Sequence, residues 1–182
     1  IACEESQTIT KKYRELGKEA YSCDLLDCSG GKSEWHIKGD AIEEAYSGKY
    51  DMMIAHPPCT HLAVSGARWF TEGRKPWSLQ EDALDFVRLL LDAPIERICL
   101  ENPVSVISTK IRKPEQIIQP WQFGHGEVKQ TGFALYNLPR LTPTDIVDGR
   151  EERIWRMAPG PDRKADRSRT YTGIAQAMAE QW

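Results

Sequence analysis

Apolar residues fall along this chain in two distinct rhythms. Short unbroken runs, Ala20 to Cys23, Tyr50 to Ala55 and Ile98 to Leu100, read as buried strands, and Ile1 to Cys3 reads as the end of a first one. Between them apolar positions recur at helical spacing. Ile9, Tyr13 and Leu16 predict a helix capped by Ser6 or Thr8 and stopped by Gly17. Leu84, Phe86, Val87, Leu90 and Leu91 predict another, opened by the capping-box spacing of Ser78-Leu79-Gln80-Glu81 and followed by Pro94. A short helix over 41–47, a strand over 132–138 and a terminal helix from Ile174 to Trp182 complete the pattern. Ser29-Gly30-Gly31 reads as loop, 60–77 as irregular, and 144–168 as polar and rich in turn residues.

Strands alternating with helices predict an α/β fold, a doubly wound and mostly parallel sheet, within one domain over 1–182. In such sheets ligands gather at the carboxyl ends of the strands. Two strand ends here carry chemistry. Pro57-Pro58 ends the Tyr50–Ala55 run and moves Cys59 out of the core, as a nucleophile requires. Glu101 follows Leu100 directly, with Asn102 beside it.

Composition narrows the reading. Forty per cent hydrophobic and 28% charged residues describe an ordinary globular protein, and no apolar run approaches a membrane span. The five cysteines are odd in number and irregularly spaced, which argues against a disulfide framework and for a reducing cytoplasm. No secretory signal pattern opens the chain, and because it starts at Ile1 inside a strand, residues upstream are expected. A zinc set of Cys23, Cys28 and His36 is a minor alternative, lacking a paired C-x-x-C, and no metal is expected. The net charge of -3 is uneven: residues 110–169 carry 12 Lys/Arg against 8 Asp/Glu, an excess that suits a phosphate backbone or a mixed solvated surface.

The remaining strand ends point to a cofactor. The first loop, Cys3-Glu4-Glu5-Ser6, has no glycine and two carboxylates, which disfavours a phosphate-bearing dinucleotide and favours a cationic ligand. The acids have a second use, stabilising the start of the helix that follows. Asp24, with Leu25, stands where a carboxylate commonly meets ribose hydroxyls, and Asp40, with Ala41, where one can meet a base edge. A cationic adenosine cofactor without phosphates points to S-adenosylmethionine. His56 and Pro58 are expected to line the same cleft.

These residues carry a resemblance. Pro58-Cys59-Thr60-His61-Leu62-Ala63-Val64-Ser65-Gly66 resembles the catalytic loop of the DNA cytosine-5 methyltransferases, and Glu101-Asn102-Pro103 is similar to their Glu-Asn-Val motif. The order of parts agrees, and the openings and ends of compact phage and prophage members resemble Ala2–Gln7 and Arg167–Tyr171. The resemblance implies a Rossmann-like methyltransferase fold and transfer of a methyl group from S-adenosylmethionine to carbon 5 of cytosine in double-stranded DNA. It implies that Cys59 attacks the flipped base while Glu101 binds its ring nitrogen and amine. It places Pro57, Ser65, Gly66, Asn102, Lys129, Thr131, Arg167 and Arg169 on the substrate side. Two departures stand out: the glycine-rich first loop is absent, and Lys129-Gln130-Thr131 is the nearest counterpart of a Gln-Arg-x-Arg motif, with Arg167 or Arg169 as alternative sources of charge. The interval before the terminal helix holds only a minimal recognition segment, at about 140–170, so short specificity or help from self-association or a partner is expected. Two other readings remain: an amino methyltransferase, for which His56 and Cys59 are the wrong residues, and a non-catalytic DNA-binding module. Methylation of free deoxycytidylate is a further variant, disfavoured by the basic C-terminal excess.

Overall fold

Ile98, Cys99 and Leu100 lie almost wholly out of solvent because their strand is covered on both faces. Alternate side chains leave opposite faces of a strand. Ile98 and Leu100 therefore pack with Leu84, Val87 and Leu90, while Cys99 packs with Ile9, Phe133 and Met178. That double burial is the reason for the continuous apolar run. Each fully buried leucine-sized side chain contributes roughly 1.5–3 kcal/mol.

The computed structural model describes residues 1–158, 160 and 167–182. In chain order its elements are α1 (Thr8–Glu15), β1 (Ser22–Asp24), β2 (His36–Lys38), α2 (Ala41–Ala45), β3 (Met52–Ala55), α3 (Arg68–Thr71), α4 (Ser78–Leu91), β4 (Arg97–Pro103), α5 (Ile107–Lys110), β5 (Gln116–Ile118), β6 (Thr131–Tyr136), α6 (Arg153–Arg156) and α7 (Thr172–Gln181). The fold is α/β. A two-stranded ladder, β1-β2, and a four-stranded ladder, β3-β4-β6-β5, are both bridged in parallel by Ala2. β3 and β4 are parallel, and β6 runs against both β4 and β5. Chain order reverses at Ala2: β1 and β2 lie on one side of it, β3 and β4 on the other. One layer of the core lies under α2 and α4, the other under α1 and α7. Tyr13 Oη donates to the Met178 carbonyl at 3.1 Å and Lys18 Nζ to that of Ala179 at 2.6 Å, joining α1 to the end of α7. Among the described residues no helix is long and apolar enough to cross a membrane.

Several boundaries differ from the sequence reading. The first strand shrinks to a bridge at Ala2. Neither Ser6 nor Thr8 caps α1; the chain enters through Gln7 in a left-handed conformation, and Glu4 supplies the cap. Ser78 lies inside α4, which is entered from the turn at Pro76 with Trp77 already helical, so the capping box does not form. β6 ends at Tyr136 because Asn137 turns left-handed and its amide donates to the Glu96 carbonyl at 2.8 Å. β4 runs past Leu100, so Glu101 and Asn102 belong to the strand, opposite Phe133 and Gly132. The short strands β2 and β5, half-exposed and without an apolar run, have no equivalent in the sequence reading.

Candidate active site

Register brings two of the predicted residues together. Ile54 pairs with Cys99 across β3 and β4, and both face the α1–α7 layer. Two residues further along, His56 stands just past the end of β3 and Glu101 still within β4. His56 Nδ1 lies 2.7 Å from Glu101 Oε2, with the side chains 16% and 13% exposed. The His56 amide is anchored to the Ala2 carbonyl at 3.0 Å, so the imidazole stands beside the first loop as well.

Burial works against charge on both groups, but the facing charges outweigh it. Glu101 is held below the usual carboxylate range by the imidazole, with the Lys129 ammonium and the Thr170 hydroxyl assisting. His56 is held above its ordinary value by Glu101 and, secondarily, by Glu4. A charged pair at this depth needs its other polar atoms satisfied. Here they are not: Glu101 Oε2 has no hydrogen-bond partner besides that imidazole, and His56 Nε2 and Asn102 Oδ1 have none among the described residues. Two unpartnered buried polar atoms around one strand end, His56 Nε2 and Asn102 Oδ1, suit a place that meets something else.

Cys59 starts beside this pair. Pro57 is buried and Pro58 exposed, and Asn102 Nδ2 donates to the Pro57 carbonyl at 3.4 Å, tying the turn to β4. Cys59 then opens a single 3-10 turn and is partly exposed, its carbonyl accepting from Leu62 and Ala63. Leu62 is buried, and Ala63 bridges to Ser105, so the segment is pinned immediately beyond the cysteine. Ser65 is exposed and Gly66 half-buried on the next turn. From there to Trp77 the chain is short turns and α3, held by Phe70 stacked on Trp77 at 5.2 Å and by Trp69 between Arg68 and Arg74.

The cofactor candidates fall into two groups. Glu4 is buried and serves the start of α1: its carboxylate accepts from the amides of Ile9 (2.6 Å) and Thr10 (3.3 Å) and from the Thr10 hydroxyl (2.7 Å). Glu5 accepts from Ser29 Oγ, and Ser6 Oγ lies 3.2 Å from Thr8 Oγ1. Cys3, Asp24 and Asp40 instead converge. Burial pushes the Cys3 thiol up to about 12, and the Asp24 and Asp40 charges add to the effect. Asp24 and Asp40 each use one oxygen on a nearby amide, Leu26 at 3.0 Å and Ile42 at 2.7 Å. Leu25 projects 73% exposed beside them, while Ala41 is buried. Acids at successive strand ends around an exposed apolar side chain are suited to the hydroxyls and ring of a nucleoside.

The backbone reaches this shape without glycine. Cys3 and Gln7 both take φ 58, a left-handed conformation that costs a non-glycine residue about 1–3 kcal/mol. Gln7 offsets that cost. It is fully buried, donates to the Lys32 carbonyl at 2.7 Å and accepts from the Lys32 amide at 3.0 Å. Gly30 must stay small beneath it, since a Cβ there would lie 2.6 Å from Gln7 and from the Ser6 carbonyl.

On the substrate side, Lys129 acts on Glu101 electrostatically, and its Nζ donates to the Arg169 carbonyl at 3.5 Å. Thr131 is buried at the start of β6, opposite Pro103. Arg167 is half-buried and Arg169 exposed. Part of the recognition segment placed at about 140–170, namely residues 159 and 161–166, lies outside the described residues. The alternative zinc set does not assemble: both His36 nitrogens are engaged, by Ser22 Oγ at 2.8 Å and the Leu26 carbonyl at 2.9 Å, and the described residues contain no metal-holding cluster. A cavity of about 870 Å³ around Ile1, Tyr21, Asp51 and Arg97 reaches Ala41 but is lined by none of His56, Cys59 and Glu101. Sequence reasoning missed the His56–Glu101 pair, although counting two residues on from the paired Ile54 and Cys99 exposes it. It also missed Thr170, which no local signal marks. No protein-family model matches this chain, and no curated protein gives a significant match.

Proposed function

We propose that this protein methylates carbon 5 of cytosine in double-stranded DNA through a covalent Cys59 adduct, on a Rossmann-like methyltransferase fold. One observation carries the reading. A partly exposed cysteine and a largely buried glutamate stand near the carboxyl ends of adjacent parallel strands, next to the point where chain order reverses. Beside them, Cys3, Asp24, Leu25 and Asp40 fit the nucleoside part of S-adenosylmethionine, which supplies an electrophilic methyl group when bound.

The target base leaves the helical stack because its ring carbons are unreachable within it. The Cys59 sulfur forms a bond to carbon 6. Glu101 accepts from the exocyclic amine and passes a proton to the ring nitrogen, which neutralises the negative charge displaced onto it. Carbon 5 takes the methyl group, then loses its proton to solvent, and the sulfur leaves as thiolate to restore the ring. Lys129 and Thr170 approach Glu101, and Lys129, Arg167 and Arg169 supply charge for the base and its phosphates.

The test is an adduct trap. Duplex DNA carrying 5-fluorocytosine is incubated with the protein and S-adenosylmethionine and run on a denaturing gel. Fluorine cannot leave as a proton does, so the wild type is expected to stay bonded to DNA and C59S to run free. A wild type that forms no adduct, or a C59S variant that forms as much, rejects the proposal.

A further inference from the structure

Glu101 is ionised at rest, yet the proposed attack on carbon 6 needs a proton at the ring nitrogen it contacts. Once the sulfur has bonded to carbon 6, the displaced electron pair moves through the ring onto that nitrogen. A carboxylate alone has no proton to give. The proton source lies 2.7 Å away, at His56 Nδ1.

We infer that His56 is a positioning residue for Glu101: it fixes the carboxylate from behind and holds the proton that passes through it to the base. The inference rests on the methyl-transfer reading above. Three observations support it. His56 is the residue directly after β3, which ends in parallel register with β4 at Ala55 and Leu100, and its amide is tied to the Ala2 carbonyl, so the pairing is held close to the sheet. The imidazole meets one carboxylate oxygen, Oε2, and the Thr170 hydroxyl also bonds the carboxylate. His56 Nε2 is buried and without a partner among the described residues, so the ring is held chiefly by its bond to Glu101.

The proton path balances. As the sulfur–carbon bond forms, the ring nitrogen takes a proton from Glu101, and Glu101 takes the Nδ1 proton of His56, leaving a neutral imidazole. When the sulfur departs, the ring nitrogen returns that proton by the same route, while the carbon 5 proton goes to solvent. The pair thus behaves as one unit with one exchangeable proton. The charges facing His56 are Glu101 from β4 and Glu4 from the first loop; Lys129 and Thr170 face Glu101 from beyond. The two carboxylates favour the protonated imidazole against its burial.

The experiment is a pH series of adduct formation on the 5-fluorocytosine duplex for wild type and H56Q, with the wild-type His56 ring followed by NMR over the same range. The wild-type rate is expected to fall as pH rises through the midpoint at which that ring titrates. H56Q, which keeps a donor but cannot carry the proton, should react about 10²-fold more slowly and lack that alkaline limb. A merely structural histidine would scale the whole profile and leave the limb in place. Retention of the limb in H56Q overturns the inference, and so does a wild-type limb that does not coincide with the His56 midpoint; the second comparison needs no variant to fold. If wild type gives no adduct at any pH, the methyl-transfer reading itself fails and takes this one with it. An adduct with unchanged H56Q kinetics removes only the role of His56.

Discussion

Two strand ends of this protein each present a buried glutamate, and they use it differently. Glu4, after the Ala2 bridge, accepts two backbone amides and a hydroxyl from the helix that follows. Its hydrogen-bond partners all lie within six residues, so its bonds serve the start of α1. Glu101, near the end of β4, meets a histidine from the neighbouring strand, a lysine from the segment before β6 and a threonine from the segment before α7. These partners are distant in sequence, and the surrounding polar atoms are incompletely matched. Both residues are acids released from an apolar strand. What separates structural from chemical use is whether the local chain satisfies them.

The contrast can be broken most forcefully at Glu101. E101Q removes the charge with little change of shape, and adduct formation is expected to fall about 10²–10³-fold, measured by the rate of gel-shifted DNA. A near-wild-type rate would make Glu101 another structural acid. At the other end, E4A strands the amides of Ile9 and Thr10 in the core. Urea denaturation should show a loss of about 2–3 kcal/mol, with E4Q recovering part of it. An E4A protein as stable as wild type would mean that Glu4 is not the cap.

The smallest effect is the pH dependence of stability. Glu101 titrates lower in the folded protein than when unfolded, so its share of the pair's stability is full above the ordinary carboxylate range and lost as pH falls through the lowered value. His56 titrates higher when folded, so its share is full below the ordinary imidazole value and lost as pH rises through the raised one. The difference in melting temperature between wild type and E101Q should therefore be greatest between those limits and narrow on both flanks. A difference that is flat with pH would mean the pair is not charged in the folded state.

Much of this layout can be read along the chain, and the exceptions have physical causes. The runs at Tyr50–Ala55 and Ile98–Leu100 are visible because both faces of β3 and β4 are covered, which leaves no polar alternation. Gly17 ends α1 at φ 74, as a left-handed stop requires. Cys59 stands out because two prolines cannot continue a central strand. The caps were misread because Ser6, Thr8 and Ser78 satisfy a local rule that competing partners overrode: Glu4 in one case, the Pro76 turn in the other. β2 and β5 are three residues each, held by ladder hydrogen bonds rather than by an apolar pattern. His56 is visible as a strand-end residue, but its ionic partner Glu101 lies 45 positions away in the chain, which residue order does not reveal.

Residue order alone therefore settles the longer buried segments, and that a cysteine and a glutamate sit near two of their ends. Periodicity and proline carry that information, and both are local. The partner of each acid is a different kind of fact. It depends on parallel register across β3 and β4, on a left-handed turn at Gln7 that aims α1 at Glu4, and on distant segments arriving at Lys129 and Thr170. Those are contacts between residues far apart in the chain, and hydrogen-bond geometry, which decides between a helix cap and a chemical group, exists only once they have met.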